Sequence, residues 1–143
     1  MPTTIAALNG LSRHCDRVDD RRVFAEELQV YEVTGTIVSA KVEDDRDHHI
    51  ILTDSGQTII TELPDAACVG AVSSPHHAAL VQAHTQFLAL FPPGRSDLDA
   101  LSGLRVTVRG VGFFDDSDGK TGGSRSCIEL HPIVAISASK RLV

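Results

Sequence analysis

Aromatic side chains are scarce in this sequence, at 4% of residues, with no Trp and a single Tyr. That scarcity counts against a broad stacking platform for nucleotide bases, although Phe113 and Phe114 offer one adjacent pair. Positive charge is also short: 13 Lys and Arg stand against 19 Asp and Glu, a formal net charge of −6. Broad, sequence-independent phosphate binding needs the opposite balance. No apolar run approaches the roughly 20 residues of a membrane helix, and the first residues, Met-Pro-Thr-Thr-Ile-Ala-Ala-Leu, lack the basic start and apolar run of a secretion leader. Cys15, Cys68 and Cys127 are odd in number and form no CxxC pair, so no disulfide framework is expected, and Cys68 and Cys127 read as small buried fillers. These absences predict a soluble protein, cytoplasmic as the chain is given and exported if a leader has been removed.

What is present fits one domain. A chain of 143 residues with 42% hydrophobic and 22% charged residues can bury its own core. Residues 1–28, with the charged run Asp16 to Arg22, read as a partly ordered N-terminal arm holding at most one short helix. From Val30 the pattern changes: Tyr31, Val33, Thr34, Thr36, Ile37 and Val38 predict a strand, with Gly35 as a bend or bulge. His48–Thr53 and Gln57–Leu63 form a hairpin around the turn Asp54-Ser55-Gly56. Ser73-Ser74-Pro75 opens a helix carrying Leu80, His84, Phe87 and Phe91 at helical spacing, and Pro92-Pro93-Gly94 stops it. Leu104–Phe114 is the fourth strand. The fifth runs from Cys127 to about Ile136, with Ile128, Leu130, Val134 and Ile136 on one face. The order is β-β-β-α-β-β, which predicts a mainly β domain over residues 29–139: a five-stranded OB-type barrel with its helix between strands three and four.

Three groups of residues could carry chemistry. At strand spacing, Glu43, Asp45, Asp47 and His49 project to one side and offer three carboxylates and an imidazole to Ca, Mg, Mn or Zn. The plainer reading of that stretch is a solvated acidic turn. Glu129 and His131 lie two apart on the face of strand five opposite Ile128 and Leu130, where they suit a metal or an acid–base pair, or simply an exposed polar face. Glu62 sits in an apolar strand and needs a partner, for which Arg105, Arg109 and Arg125 are candidates in an ordinary ion pair. His84 on the apolar stripe reads as a satisfied core histidine, and His76 and His77 as solvated. The Gly119-Lys120-Thr121-Gly122-Gly123 loop lacks the frame of a phosphate-binding loop and precedes a strand instead of a helix. No Gly-x-Ser-x-Gly elbow occurs, so serine hydrolase chemistry has no support.

The stretches Glu43-x-Asp45-x-Asp47-x-His49, Thr61-Glu62-Leu63-Pro64-Asp65-Ala66-Ala67-Cys68, Gly110-Val111-Gly112-Phe113-Phe114-Asp115 and Ile128-Glu129-Leu130-His131-Pro132 resemble an uncharacterised, often exported bacterial family of OB-like fold. That resemblance covers about residues 30–138, extends to Pro2-Thr3-Thr4-Ile5-Ala6, and implies the fold. The chain departs from the family pattern at Asp118, Arg125 and Cys127. The order of elements also resembles staphylococcal-nuclease-type OB folds, in which an Asp-Gly-Asp turn and a later Asp-Thr-Pro-Glu hold calcium. Asp45-Arg46-Asp47 and Glu62-Leu63-Pro64-Asp65 stand in comparable places. This likeness implies Asp47 and Glu62 as metal ligands, Asp65 as the base that activates water and Arg125 as the phosphate-binding arginine. Gln57 stands where a first arginine is sought.

The expected function is therefore a divalent-metal-dependent phosphodiesterase of nuclease type acting on nucleic acid or another phosphodiester. Asp45, Asp47 and Glu62 would hold the metal, with Glu43, His49 and Glu129 as further ligands and Asp65, His131 and Arg125 in catalysis. The alternatives are a non-catalytic OB module for a small ligand, oligosaccharide or protein partner, and a barrel with a structural metal site.

Overall fold

Two short connections and two longer ones join the five strands of the chain. The structure is a computed structural model that describes residues 1–15, 24–43, 46–65, 77–115 and 121–139. In order they form α1 (Ile5–Asn9), a 3-10 turn (Ala25–Leu28), β1 (Val30–Val42), β2 (His48–Asp54), β3 (Gln57–Leu63), α2 (His77–Leu88), a second 3-10 turn (Leu98–Leu101), β4 (Arg105–Phe114) and β5 (Ile128–Ala138). The proposed start of the helix at Ser73–Pro75 lies outside the described residues, as do Cys68 and His76. The five strands close into a barrel in the order β1-β2-β3-β5-β4. All neighbours are antiparallel except β3 and β5, which run parallel and share one register pair, Thr61 with Leu130.

The β2–β3 hairpin follows from its turn residues. Ser55 and Gly56 both take positive φ, 52° and 78°, the conformation a two-residue hairpin demands. Of the two readings of the acidic stretch between β1 and β2, strand spacing or a solvated turn, the described hydrogen bonds fit the turn. Here the Arg46 N–H donates to the Glu43 carbonyl and the Glu43 N–H donates to the Asp47 carbonyl. The expected bulge in β1 lies between Ile37 and Ser39, not at Gly35. Gly35 answers a different need: a methyl there would lie 2.9 Å from Ile5 Cδ1 and 3.0 Å from the Thr53 carbonyl oxygen. Ile5 and Leu8 of α1 thereby join the barrel core with Val33, Ile37, Ile50, Leu52, Ile59, Leu63 and Leu130.

β5 shows why simple alternation misses part of the core. Its register against β4 shifts twice, between Arg109 and Gly110 and between Gly110 and Gly112. The inward set is consequently Ile128, Leu130, Ile133 and Ile136, with Ile133 replacing the expected Val134. Gly112 is required by a close approach, since a methyl there would lie 2.3 Å from the Glu26 carbonyl oxygen. Glu27 beside it is fully buried. Its two carboxylate oxygens accept from the Phe24 and Phe114 N–H groups at 3.1 and 3.0 Å, which ties the 3-10 turn to the end of β4.

The expectation of free thiols is overturned for two cysteines: Cys15 and Cys127 form a disulfide with a Cα–Cα distance of 5.3 Å. Counting cysteines could not reveal this, because the pair becomes adjacent only when the fold lays residues 14–15 along the segment entering β5. There the His14 N–H donates to the Ser126 carbonyl. The bridge closes a loop with a sequence separation of 112 residues, and removing such a link typically costs about 2–5 kcal/mol. The expected outcome is one titratable thiol per denatured chain before reduction and three after it. Cys15→Ser/Cys127→Ser should melt roughly 6–20 °C below the parent in calorimetry.

Candidate metal centre

Strand alternation sets the candidate site on the outer wall of the barrel. Ile50 and Leu52 of β2, Ile59 and Leu63 of β3, and Ile128 and Leu130 of β5 point into the core. His49, Glu62, Glu129 and His131 therefore project outward. The β2–β3 register places His49 opposite Glu62. The parallel β3–β5 contact then brings Glu62 beside Glu129 and His131.

Glu62 is the centre of the group. One of its carboxylate oxygens lies 3.3 Å from His49 Nε2 and the other 3.1 Å from His131 Nδ1. His49 Nδ1 in turn faces Glu43 Oε1 at 3.5 Å, so carboxylates and imidazoles alternate from the exposed hairpin to the buried Glu62. Glu62, Glu129 and His131 each present one ligand atom, all within 4.8 Å of one another. Glu129 is 1% exposed and Glu62 6%. Two carboxylates so buried and so close are stable as anions only beside positive charge or hydrogen-bond donors. The Phe113 ring meets His131 edge-on at 5.6 Å and limits how the imidazole can turn.

The other residues singled out in the sequence divide into two places. Asp47 Oδ1 accepts the Asp65 N–H at 2.9 Å, and Asp65 faces Arg46 at 3.4 Å, so Asp47 and Asp65 form a second polar group at the rim next to Glu62. Arg46 was not among the expected site residues; it stood as the spacer in Asp-Arg-Asp, and the turn gives it a φ of 68°. Asp45 lies outside the described residues. Arg125 is held elsewhere. Its N–H donates to Asn9 Oδ1 and Asn9 donates to the Thr58 carbonyl, at the opposite end of β3 from Glu62. None of Arg105, Arg109 and Arg125 is seen in the expected ion pair with Glu62: Arg105 reaches Asp54 and Thr36, and the imidazoles of His49 and His131 lie against Glu62. His84 is satisfied, donating from Nε2 to the Pro64 carbonyl.

Glu43 and His49, Phe113, and Glu129 and His131, far apart in sequence, thus gather around the one carboxylate of Glu62. No family model matches the chain, and no curated protein matches it. Among solved structures, a candidate aspartyl-tRNA synthetase from Leishmania major Friedlin is similar at a TM-score of 0.53 and 12% identity, over 100% of this chain. The chain spans about 22% of that protein's length. At this identity the likeness concerns the fold alone.

His48, next to the site but on the other face of β2, is held below the ordinary imidazole range. Burial is the main cause and the nearby His84 adds to it, while Asp47 and Asp65 oppose it. The folded chain therefore binds fewer protons at His48 than the unfolded chain just below the ordinary value of about 6.5. Its contribution is at full strength above that pH and declines as pH falls toward the lower folded value. A histidine NMR titration should place the His48 midpoint below 6.5, and His48→Phe should lose stability less steeply than the parent on acidification from pH 7.

Proposed function

We propose that this chain is an OB-type barrel that binds a divalent metal ion through Glu62, Glu129 and His131 and uses it to hydrolyse phosphodiesters. The observation that carries the reading is the convergence of two buried carboxylates and one imidazole within 4.8 Å, contributed by two strands. Two oxygens and one nitrogen suit Zn or Mn better than Ca or Mg, which favour more oxygen ligands. A three-ligand set also leaves a coordination position for water or substrate, as catalytic zinc sites do. His49, backed by Glu43, would orient Glu62, as carboxylate ligands generally require. The OB label rests on the strand order with β3 and β5 parallel and on a helix in the chain between β3 and β4.

The bound ion would supply an activated water and offset charge on the phosphoryl oxygens. In this reading Arg46, not Arg125, holds the phosphate, because Arg46 lies beside Asp65 at the same rim. Asp65 and Asp47 fix that guanidinium and the backbone behind it. The acidic balance of the chain then favours a short phosphodiester segment over a long nucleic-acid track. The buried disulfide supports work in an oxidising compartment and counts against the expected cytoplasmic one. Among the described residues no helix is long and apolar enough to cross a membrane.

One observation favours a purely structural metal as the second reading. The barrel closes where β3 and β5 share a single register pair, and the three ligands straddle that seam. An ion there would cross-link the weakest contact of the barrel.

Chelator-treated protein should melt several degrees higher with Zn or Mn at about a hundredfold over Kd, and Glu129→Gln or His131→Ala should abolish that shift. Metal-dependent cleavage of bis(p-nitrophenyl) phosphate or oligonucleotides should fall at least tenfold in Arg46→Ala while the melting shift stays. A shift without turnover would leave the structural reading standing. No shift with any metal would defeat both.

A further inference from the structure

Glu62 engages a different imidazole with each of its two oxygens. Oε2 faces His131 Nδ1 at 3.1 Å, on the side where Glu129 joins the group. Oε1 faces His49 Nε2 at 3.3 Å, across the β2–β3 ladder. A single buried carboxylate thus stands between two imidazoles, and only the His131 side belongs to the three-ligand site.

The His49 side has the geometry of ligands that share an ion. Four donors about 2.0–2.1 Å from a zinc ion lie about 3.3–3.4 Å from one another, along the edges of the coordination tetrahedron. His49 Nε2 and Glu62 Oε1 are separated by such an edge. His49 is also set from behind, because its Nδ1 faces Glu43 Oε1 at 3.5 Å. A hydrogen on Nδ1, directed to that carboxylate, leaves a lone pair on Nε2 aimed at Glu62. A lone pair and a carboxylate oxygen so placed need a cation between them. A proton on Nε2 would serve, but charge-assisted hydrogen bonds draw their partners to about 2.7–2.9 Å, closer than the 3.3 Å found here.

Charge points the same way for a centre that handles phosphodiesters. Glu43, Glu62 and Glu129 bring three carboxylates to the group, and one divalent ion leaves a negative remainder that repels an anionic substrate. A doubly protonated His49 brings that remainder only to zero. A second divalent ion reverses its sign.

Resting on the Glu62, Glu129 and His131 site proposed above, we infer that the centre is dinuclear: Glu62 bridges two divalent ions, the second held by its Oε1 and by His49 Nε2, with Glu43 fixing the His49 ring. Ions in two-metal sites stand about 3.5–4 Å apart, a span that clamps the attacking and leaving oxygens of one phosphoryl group. The second ion has two protein ligands against three for the first, so it binds more weakly and keeps more positions for water and substrate. His49 is partly exposed, which opens those positions to solvent.

The test counts ions on the whole chain. Equilibrium dialysis of chelator-treated protein against Mn should give two ions per chain, the second bound at least tenfold more weakly than the first. Electron paramagnetic resonance of that form should show the exchange-coupled signal of two neighbouring Mn ions. His49→Ala should keep one ion and lose the coupled signal. His49→Phe, which retains a flat ring on β2 but no ligand atom, should do the same and guards against a folding defect in the first variant. Glu43→Gln should keep both ions and weaken the second roughly 10–100-fold, the usual cost of losing a carboxylate behind a metal-bound histidine. One ion per chain in the parent at saturating Mn would overturn the dinuclear centre while leaving the three-ligand site standing. Two ions without coupling, or two ions retained in both His49 variants, would place the second ion elsewhere and overturn it as well. No bound ion would defeat the three-ligand site and the dinuclear centre together.

Discussion

The barrel closes through β3 and β5, which run parallel and meet at one register pair, Thr61 with Leu130. Parallel neighbours joined by a long connection are held by few hydrogen bonds here, so the seam depends on side chains to either side of it. On the inside, Leu63, Ile128 and Leu130 are fully buried in the common core. On the outside, Glu62 reaches across from β3 to His131 of β5. The same closure that completes the core therefore assembles the cluster of carboxylates and imidazoles. Without it Glu62 and His131 belong to strands with no reason to meet.

Long-range ties at the chain's beginning hold this arrangement from one end. α1 is only five residues long and has little stability of its own. It persists because Ile5 and Leu8 are buried, Thr4 caps the Ala7 N–H, and Asn9 bonds both to Thr58 and to the loop at Arg125. The Cys15–Cys127 bridge fixes the following residues to the start of β5. Glu27 does similar work at the end of β4, using a buried carboxylate to hold two backbone N–H groups. Residues that look like a charged arm in the sequence thus contribute to the core and to the positioning of β5.

β2 divides the polar chemistry between the two sides of the barrel wall. His49 points outward to Glu43 and Glu62, whereas the adjacent His48 points inward to Phe87. One residue of strand spacing separates an imidazole among carboxylates from an imidazole among rings. The surroundings determine their behaviour: burial and His84 depress the proton affinity of His48, with the rim carboxylates acting against them.

The sequence by itself determined the local elements: five strands, a helix following the third, and a hairpin turn at Asp54-Ser55-Gly56. It did so because β-branched alternation, helical spacing and turn residues act over a few neighbours. It also marked Glu62, Glu129 and His131 as polar residues on otherwise apolar strands. Tertiary structure decided which of them meet. His49 finds Glu62 through register, whereas Arg125 is carried to the Asn9 end and Arg46 takes the place beside Asp65. It also decided the inward position of Ile133, because two register shifts in the β4–β5 ladder reset the alternation. The disulfide was invisible for the same reason: a contact across 112 positions of sequence leaves no periodic trace, and only barrel closure brings Cys15 to Cys127.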